Sequence, residues 1–129
     1  MNPAEPPALD QVIHHPTRLT MMAFLAGCAE AEFAAVRAYC QVSDASVSRI
    51  ATALEEAGYL KIRKGAVGRR PRTWLSLTQA GRKALKQHLA ALQTIADAAE
   101  AAGAEAAGAD AAGADAAGAD AAEAHEPGG

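Results

Sequence analysis

The charge chemistry of this chain is gathered in twelve consecutive positions holding Lys61, Arg63, Lys64, Arg69, Arg70 and Arg72. Arg82, Lys83 and Lys86 follow, and no acid interrupts the stretch from Lys61 to Lys86. Nine like charges in such a run repel one another unless a polyanion is present. Phosphate groups, whose neutralisation releases counterions, are the matching partner. Arg69-Arg70-Pro71-Arg72 stands beside Gly65 and Gly68, which suits a flexible tip able to track a minor groove, where arginine is favoured.

A second group of polar residues lies upstream. Ser43 is a good helix N-cap and Asp44 suits a first turn. Val47, Ile50, Ala51 and Leu54 recur at helical spacing and define an inward face. The opposite face carries Ala45, Ser46, Ser48, Arg49 and Thr52. Short polar side chains permit close approach to a major groove, where Ser46, Ser48 and Thr52 can bond bases or phosphates and Arg49 can reach guanine O6 and N7.

Other reactive residues are sparse. Cys28 and Cys40 read as small core residues, with a thiol switch as the sharper alternative. His14 and His15 point about 100° apart on a helix and do not chelate as an i, i+4 pair would. With His88 they form a weak metal candidate, and no metal or cofactor is expected. We find no pairing of nucleophile with base, no metal-ligand spacing and no phosphate loop, so an enzyme is the least supported class.

The elements that must position these groups follow from periodicity. Residues 1–7 hold three prolines and read as a loose arm. Pro16 opens a helix, with Leu19, Met22, Ala23 and Ala26 expected inward and Gly27 as its stop. Glu30 to Cys40 reads as a second helix with Phe33, Val36 and Cys40 or Tyr39 inward. A helix over about 43–57 ends at Gly58. Tyr59 to Lys64 and Thr73 to Leu77 alternate as strands around a long tip, Gly65 to Pro71. Trp74 is expected to pack on this hairpin. Thr78 caps a last helix, with Ala84, Leu85, Leu89, Leu92 and Ile95 on one side. The expected fold class is mainly α with a small β-hairpin, a winged helix-turn-helix over residues 8–96.

Ala53-Leu54-Glu55-Glu56-Ala57-Gly58-Tyr59-Leu60 resembles the end of the recognition helix in MarR- and ArsR-like winged-helix regulators. The same group is similar at His15-Pro16-Thr17-Arg18-Leu19, at Lys64 to Thr73, and at Leu77-Thr78-Gln79-Ala80-Gly81-Arg82. The resemblance covers residues 9 to 95. It implies a bacterial homodimeric regulator on double-stranded operator DNA, with the helix in the major groove and the wing, residues 64–73, on the minor groove and backbone. The roles carried over fall on Ser46, Ser48, Arg49, Thr52, Lys64, Arg69, Arg70 and Arg72. Dimer contacts are implied at Leu9, Val12, Ile13, Leu85, Leu89 and Leu92. No second, effector-binding domain and no cysteine-rich metal motif accompany these segments. A protein-interaction module of the same shape, or a thiol or metal sensor using Cys28 and Cys40, are the alternatives.

The chain has 129 residues and a net charge of −3, which hides a split. All 12 Lys and Arg precede residue 97, against seven acids there, leaving +5; the eight remaining acids give residues 97–129 a charge of −8. From Ala106 to Asp120 the motif Ala-Ala-Gly-Ala-Asp repeats with period five. Five residues advance a helix by about 500°, so no continuous face forms. Frayed helix or disorder is expected for this acidic, solubilising tail. No apolar run is long enough to span a membrane, and the N-terminus lacks a secretory leader pattern, so a cytoplasmic location with reduced thiols is expected.

Overall fold

A computed structural model of the chain describes residues 8–114, with side chains through residue 109. The element order is α1 (Pro16–Ala26), β1 (Ala31–Glu32), α2 (Phe33–Cys40), α3 (Asp44–Glu56), β2 (Leu60–Val67), β3 (Arg70–Leu77) and α4 (Gln79–Ala114). The strands form one antiparallel sheet in the order β1-β3-β2. This is the winged helix-turn-helix class expected, with a third strand that the sequence did not announce. Contacts divide the chain after Leu92 into a unit ending there and a second unit containing residue 93 onward.

Local chemistry accounts for most boundaries. Pro16 occupies the first turn of α1, where its missing N–H is no loss. The Ser43 hydroxyl accepts from the Ser46 N–H at 3.1 Å and caps α3. Between α2 and α3 the chain reverses at Gln41, which is left-handed at φ 56°, a conformation costly for a residue with a Cβ. Gly58, at φ 83°, carries the chain from α3 into β2. Thr78 accepts the Gly81 N–H at 2.9 Å and donates to the Gly58 carbonyl at 2.7 Å, so one hydroxyl caps α4 and ties it to the end of α3.

In the first unit, Ile13, Met21, Met22, Leu25, Val36, Val47, Ala51, Leu54, Leu60, Leu75, Leu77 and Leu85 form one buried cluster. Each large side chain there contributes about 1.5–3 kcal/mol of transfer free energy. The α3 face matches expectation: Val47, Ala51 and Leu54 are buried and Ile50 half-buried. The inward face of α1 lies one position away from the one expected. Met21, Met22 and Leu25 are buried while Ala23 and Ala26 are exposed, because small alanines fit either side and do not phase a short helix.

Other expectations are corrected. The second helix starts at Phe33, since Ala31 and Glu32 pair with Leu75 and Trp74 on the free edge of β3; that pairing is a tertiary effect without local signal. The hairpin tip is short. Val67 pairs with Arg70, leaving only Gly68 and Arg69 in the turn, and Gly68 at φ 64° supplies the positive φ that a type II′ turn needs at its first central position. Residues 97–114, expected as frayed helix or disorder, continue α4; alanine, the strongest helix former, offsets glycine costs of roughly 1 kcal/mol each. Residues 1–7 and 115–129 lie outside the described residues, as do the expectations for them. Ile13 and Leu85, expected at a subunit contact, are buried in the chain's own core, whereas Leu9, Val12 and Leu92 are half-buried and Leu89 is 46% exposed.

Two features make the fold testable. A Cβ on Gly81 would overlap the Tyr59 carbonyl oxygen and lie 2.9 Å from its carbon. Gly81→Ala should therefore cost about 3 kcal/mol in chemical denaturation, because backbone rather than a flexible side chain must yield; a loss below about 1 kcal/mol would show that α4 shifts freely. His88 is buried at 1% exposure. Its Nδ1 accepts the Asp10 N–H at 3.1 Å, which leaves the proton on Nε2, 3.4 Å from His14 Nδ1. Burial, then repulsion from His14, hold its pKa below 6.5, while Asp10 opposes them. With the folded pKa depressed, the unfolded chain takes up the proton first, so stability is complete above pH about 6.5 and falls as the pH drops below it. His88→Gln should flatten the decline in Tm between pH 7 and 5; an unchanged decline would place the titration elsewhere.

Candidate nucleic-acid interface

Helix α3 and the β2–β3 hairpin flank a cleft of about 530 Å³ lined by Ser48, Thr52, Ile62, Lys64, Arg72 and Thr73, among others. The alternation of β2 places Ile62 and Lys64 on the side facing α3 and Arg63 on the other. A shallower concavity along α3 joins Ala45, Ser48, Arg49, Thr52, Ala53 and Glu56. Ser48, Arg49 and Thr52 are all exposed. The expected helix face and the base of the wing therefore border one open surface.

The expected site residues are not equally free. Ser46 is half-buried and tied to the cap: its hydroxyl lies 3.1 Å from that of Ser43 and accepts from the Arg49 guanidinium at 3.4 Å. Arg49 forms no ion pair with Glu56 and remains exposed. Arg69 and Arg70 stand exposed at the turn, without an ion pair among the described residues. Arg72 is held back. Its Nε lies 3.4 Å from Glu32 Oε1 and is buried without a hydrogen-bond partner.

Two further cations of the basic run have structural partners. Arg63 makes a two-pronged contact with Glu30, Nε to Oε2 and Nη2 to Oε1, both at 2.8 Å. This pairing lowers the pKa of Glu30 and raises that of Arg63. Arg82 donates to the carbonyls of Ala26 at 3.1 Å and Cys28 at 3.0 Å, at and just beyond the C-terminal end of α1, where carbonyls lack helical partners. Sequence reasoning missed Glu32 and Asp44 on the cleft wall; Glu32 is brought there by strand pairing, which its own neighbours do not signal. Arg37 holds Asp44 at 2.9 Å with both side chains exposed.

The sensor candidates find little support. Cys28 and Cys40 are free and half-buried, and burial pushes the Cys40 thiol up, away from the reactive thiolate. His14 and His88 approach each other, but the lone pair of His88 is engaged by the Asp10 N–H. Among the described residues no group of three or more His, Cys, Asp or Glu is placed to hold a metal, and no helix is long and apolar enough to cross a membrane.

Residues 17–96 match a family model described as winged helix DNA-binding domain. No curated protein matches the chain. The transcriptional regulator homologue protein of Pyrococcus horikoshii OT3 is similar over 69% of this chain and 88% of that one, with 26% identity and a TM-score of 0.65. The putative transcriptional regulator ytfH of Salmonella typhimurium matches over 74% and 84%, with 20% identity and a TM-score of 0.56. Bordetella bronchiseptica BpsR, whose DNA binding is regulated by 6-hydroxynicotinic acid, matches over 71% and 68%, with 15% identity and a TM-score of 0.57. The last two are likenesses of fold.

The Arg82 hydrogen bonds separate structure from binding. Arg82→Ala should lower stability by about 1 kcal/mol, through loss of charge-assisted bonds to two carbonyls at an exposed site, and leave duplex affinity within about a factor of two. A large affinity loss with an unchanged Tm would make Arg82 a phosphate ligand instead.

Proposed function

The chain belongs to the winged helix DNA-binding domain family and is a DNA-binding regulator of that kind, and from that premise we propose that it represses transcription by occupying an operator. In this reading α3 enters the major groove and presents Ser48, Arg49 and Thr52 to base edges. The turn of the wing lies on the adjacent minor groove and backbone with Arg69 and Arg70. Lys64 on the cleft wall adds a phosphate contact, and Ser46 and Arg72 act from behind their partners. The observation that carries the reading is the exposure of Arg69 and Arg70, without a counter-ion among the described residues, on the hairpin that borders the polar face of α3.

Repression in this reading works by occlusion: a winged helix seated on a promoter excludes other proteins from the same grooves. We infer a homodimer on a pseudo-palindromic site, with half-sites about one helical turn apart and contacts drawn from Leu9, Val12, Leu89 and Leu92. A cytoplasmic location and the absence of a catalytic role belong to the same reading. The electrostatic part gives a measurable signature. Titrating duplex at rising salt should yield a steep log–log dependence, and replacing Arg69 and Arg70 by Ala should reduce the slope by about 0.9 for each phosphate no longer neutralised. A shallow slope in the parent chain would favour the alternative, a protein-interaction module that meets an acidic partner.

A further inference from the structure

Arg63 sits at the centre of a small clamp. Glu30, just before β1, grips both edges of its guanidinium at 2.8 Å. On β3, Trp74 is its cross-strand partner, and the guanidinium carbon lies 4.0 Å from the centre of that ring. A Cβ on Gly65 would come within 3.0 Å of the same ring, so glycine there lets the indole lie flat along β2. The clamp thus joins the segment entering β1, strand β2 and strand β3. It lies on the side of β2 away from α3, outside the cleft.

Such an arrangement uses a cation of a DNA-binding surface for something other than DNA. The carboxylate neutralises Arg63, and a bidentate pair stacked on an aromatic ring is a geometry that only arginine satisfies. The outer part of the hairpin, Lys64 to Arg70, is exposed, so its placement rests on its base: the core residues Leu60, Leu75 and Leu77, the Arg72–Glu32 contact and this clamp. We propose that Glu30 and Arg63 are positioning residues for the wing: they hold the hairpin at the angle that delivers Arg69 and Arg70 to DNA, and neither touches the nucleic acid. The proposal rests on the reading of the wing as a DNA-contacting element.

The sign of one substitution separates this role from simple electrostatics. Glu30→Gln removes a negative charge from a surface that attracts polyanions, so an acid without a positioning role would bind duplex equally or more tightly when neutralised. The clamp predicts weaker binding, roughly 3- to 5-fold. It also predicts loss of cleavage protection at the minor-groove positions under the wing, with major-groove protection retained. Arg63→Lys should fail to restore the clamp, and Glu30→Gln should have no further effect in an Arg63→Gln background.

Trp74 is the only tryptophan of the chain, so its emission reports the clamp directly in the full-length protein, with far-UV circular dichroism to confirm the fold. Both single substitutions should shift that emission. Unchanged or tighter duplex binding by Glu30→Gln, or additive effects in the double variant, would overturn the proposal. If the parent chain binds no duplex while its emission still responds to Glu30→Gln, the clamp exists and the DNA reading, with the role assigned here, falls.

Discussion

Tyr59 is the point on which the geometry of the interface depends. Its N–H closes the end of α3 on the Leu54 carbonyl at 2.9 Å, and its own carbonyl accepts the Thr78 N–H at 3.0 Å where α4 begins. Its hydroxyl donates to Asp10 at 2.6 Å, which raises its pKa and fastens the N-terminal segment. The next residue, Leu60, starts the hairpin. One residue therefore joins the helix that faces the cleft, the strand that leads to the wing, the first turn of α4 and the segment that carries Ile13. The relative placement of helix and hairpin is therefore set by backbone bonds at a shared corner, on rigid elements rather than on a loop. The glycine at position 81 belongs to this constraint, since α4 reaches the corner only without a Cβ there.

Once the corner is set, charge is divided between two tasks. The nine cations from Lys61 to Lys86 look equivalent in sequence, yet their surroundings differ. Arg63 is neutralised by Glu30, Arg72 leans on Glu32, and Arg82 closes the end of α1. Lys64, Arg69 and Arg70 are left exposed. An exposed ion pair contributes little stability, between about 0 and 1 kcal/mol, so Glu30 and Glu32 matter less as sources of stability than as constraints on where the hairpin lies. The acids near the wing thus work with its function, although a simple count of charge would set them against it.

This division explains what is legible in the sequence. The polar and apolar faces of α3 are readable because Val47, Ala51 and Leu54 repeat at a strict helical interval in a helix bounded by a cap and a glycine. The hairpin is readable from its alternation and its glycines, but its tip is shorter than those glycines suggest, since Ala66, Val67 and Arg70 carry no mark of pairing apart from their partners. The strand at Ala31 and Glu32 exists only because β3 offers an edge, so nothing within those two residues could announce it. Likewise, the burial of Ile13 and Leu85 is a property of three-dimensional neighbours; an apolar residue on an amphipathic stripe looks the same whether its own chain or a second copy covers it. The role of Arg82 is hidden for a related reason: its acceptors, the carbonyls of Ala26 and Cys28, lie more than fifty positions away.

The long extension of α4 bears on how the charge of the whole chain should be weighed. Over 97–109 its side chains are exposed, and a Cβ at Gly103 or Gly108 would meet nothing within 4 Å. Packing therefore does not require glycine at these positions, and each costs the helix about 1 kcal/mol against alanine. A helix segment without a buried face rests on intrinsic propensity rather than on packing. In the sequence, residues 97–129 carry −8 against +5 before them. At physiological salt, fields between exposed charges fade over about 8 Å, so a net charge of −3 does not measure the field at any one surface of the chain. The net charge of the full chain and its unbroken basic run are separate quantities, and the run is the one that matches a polyanion.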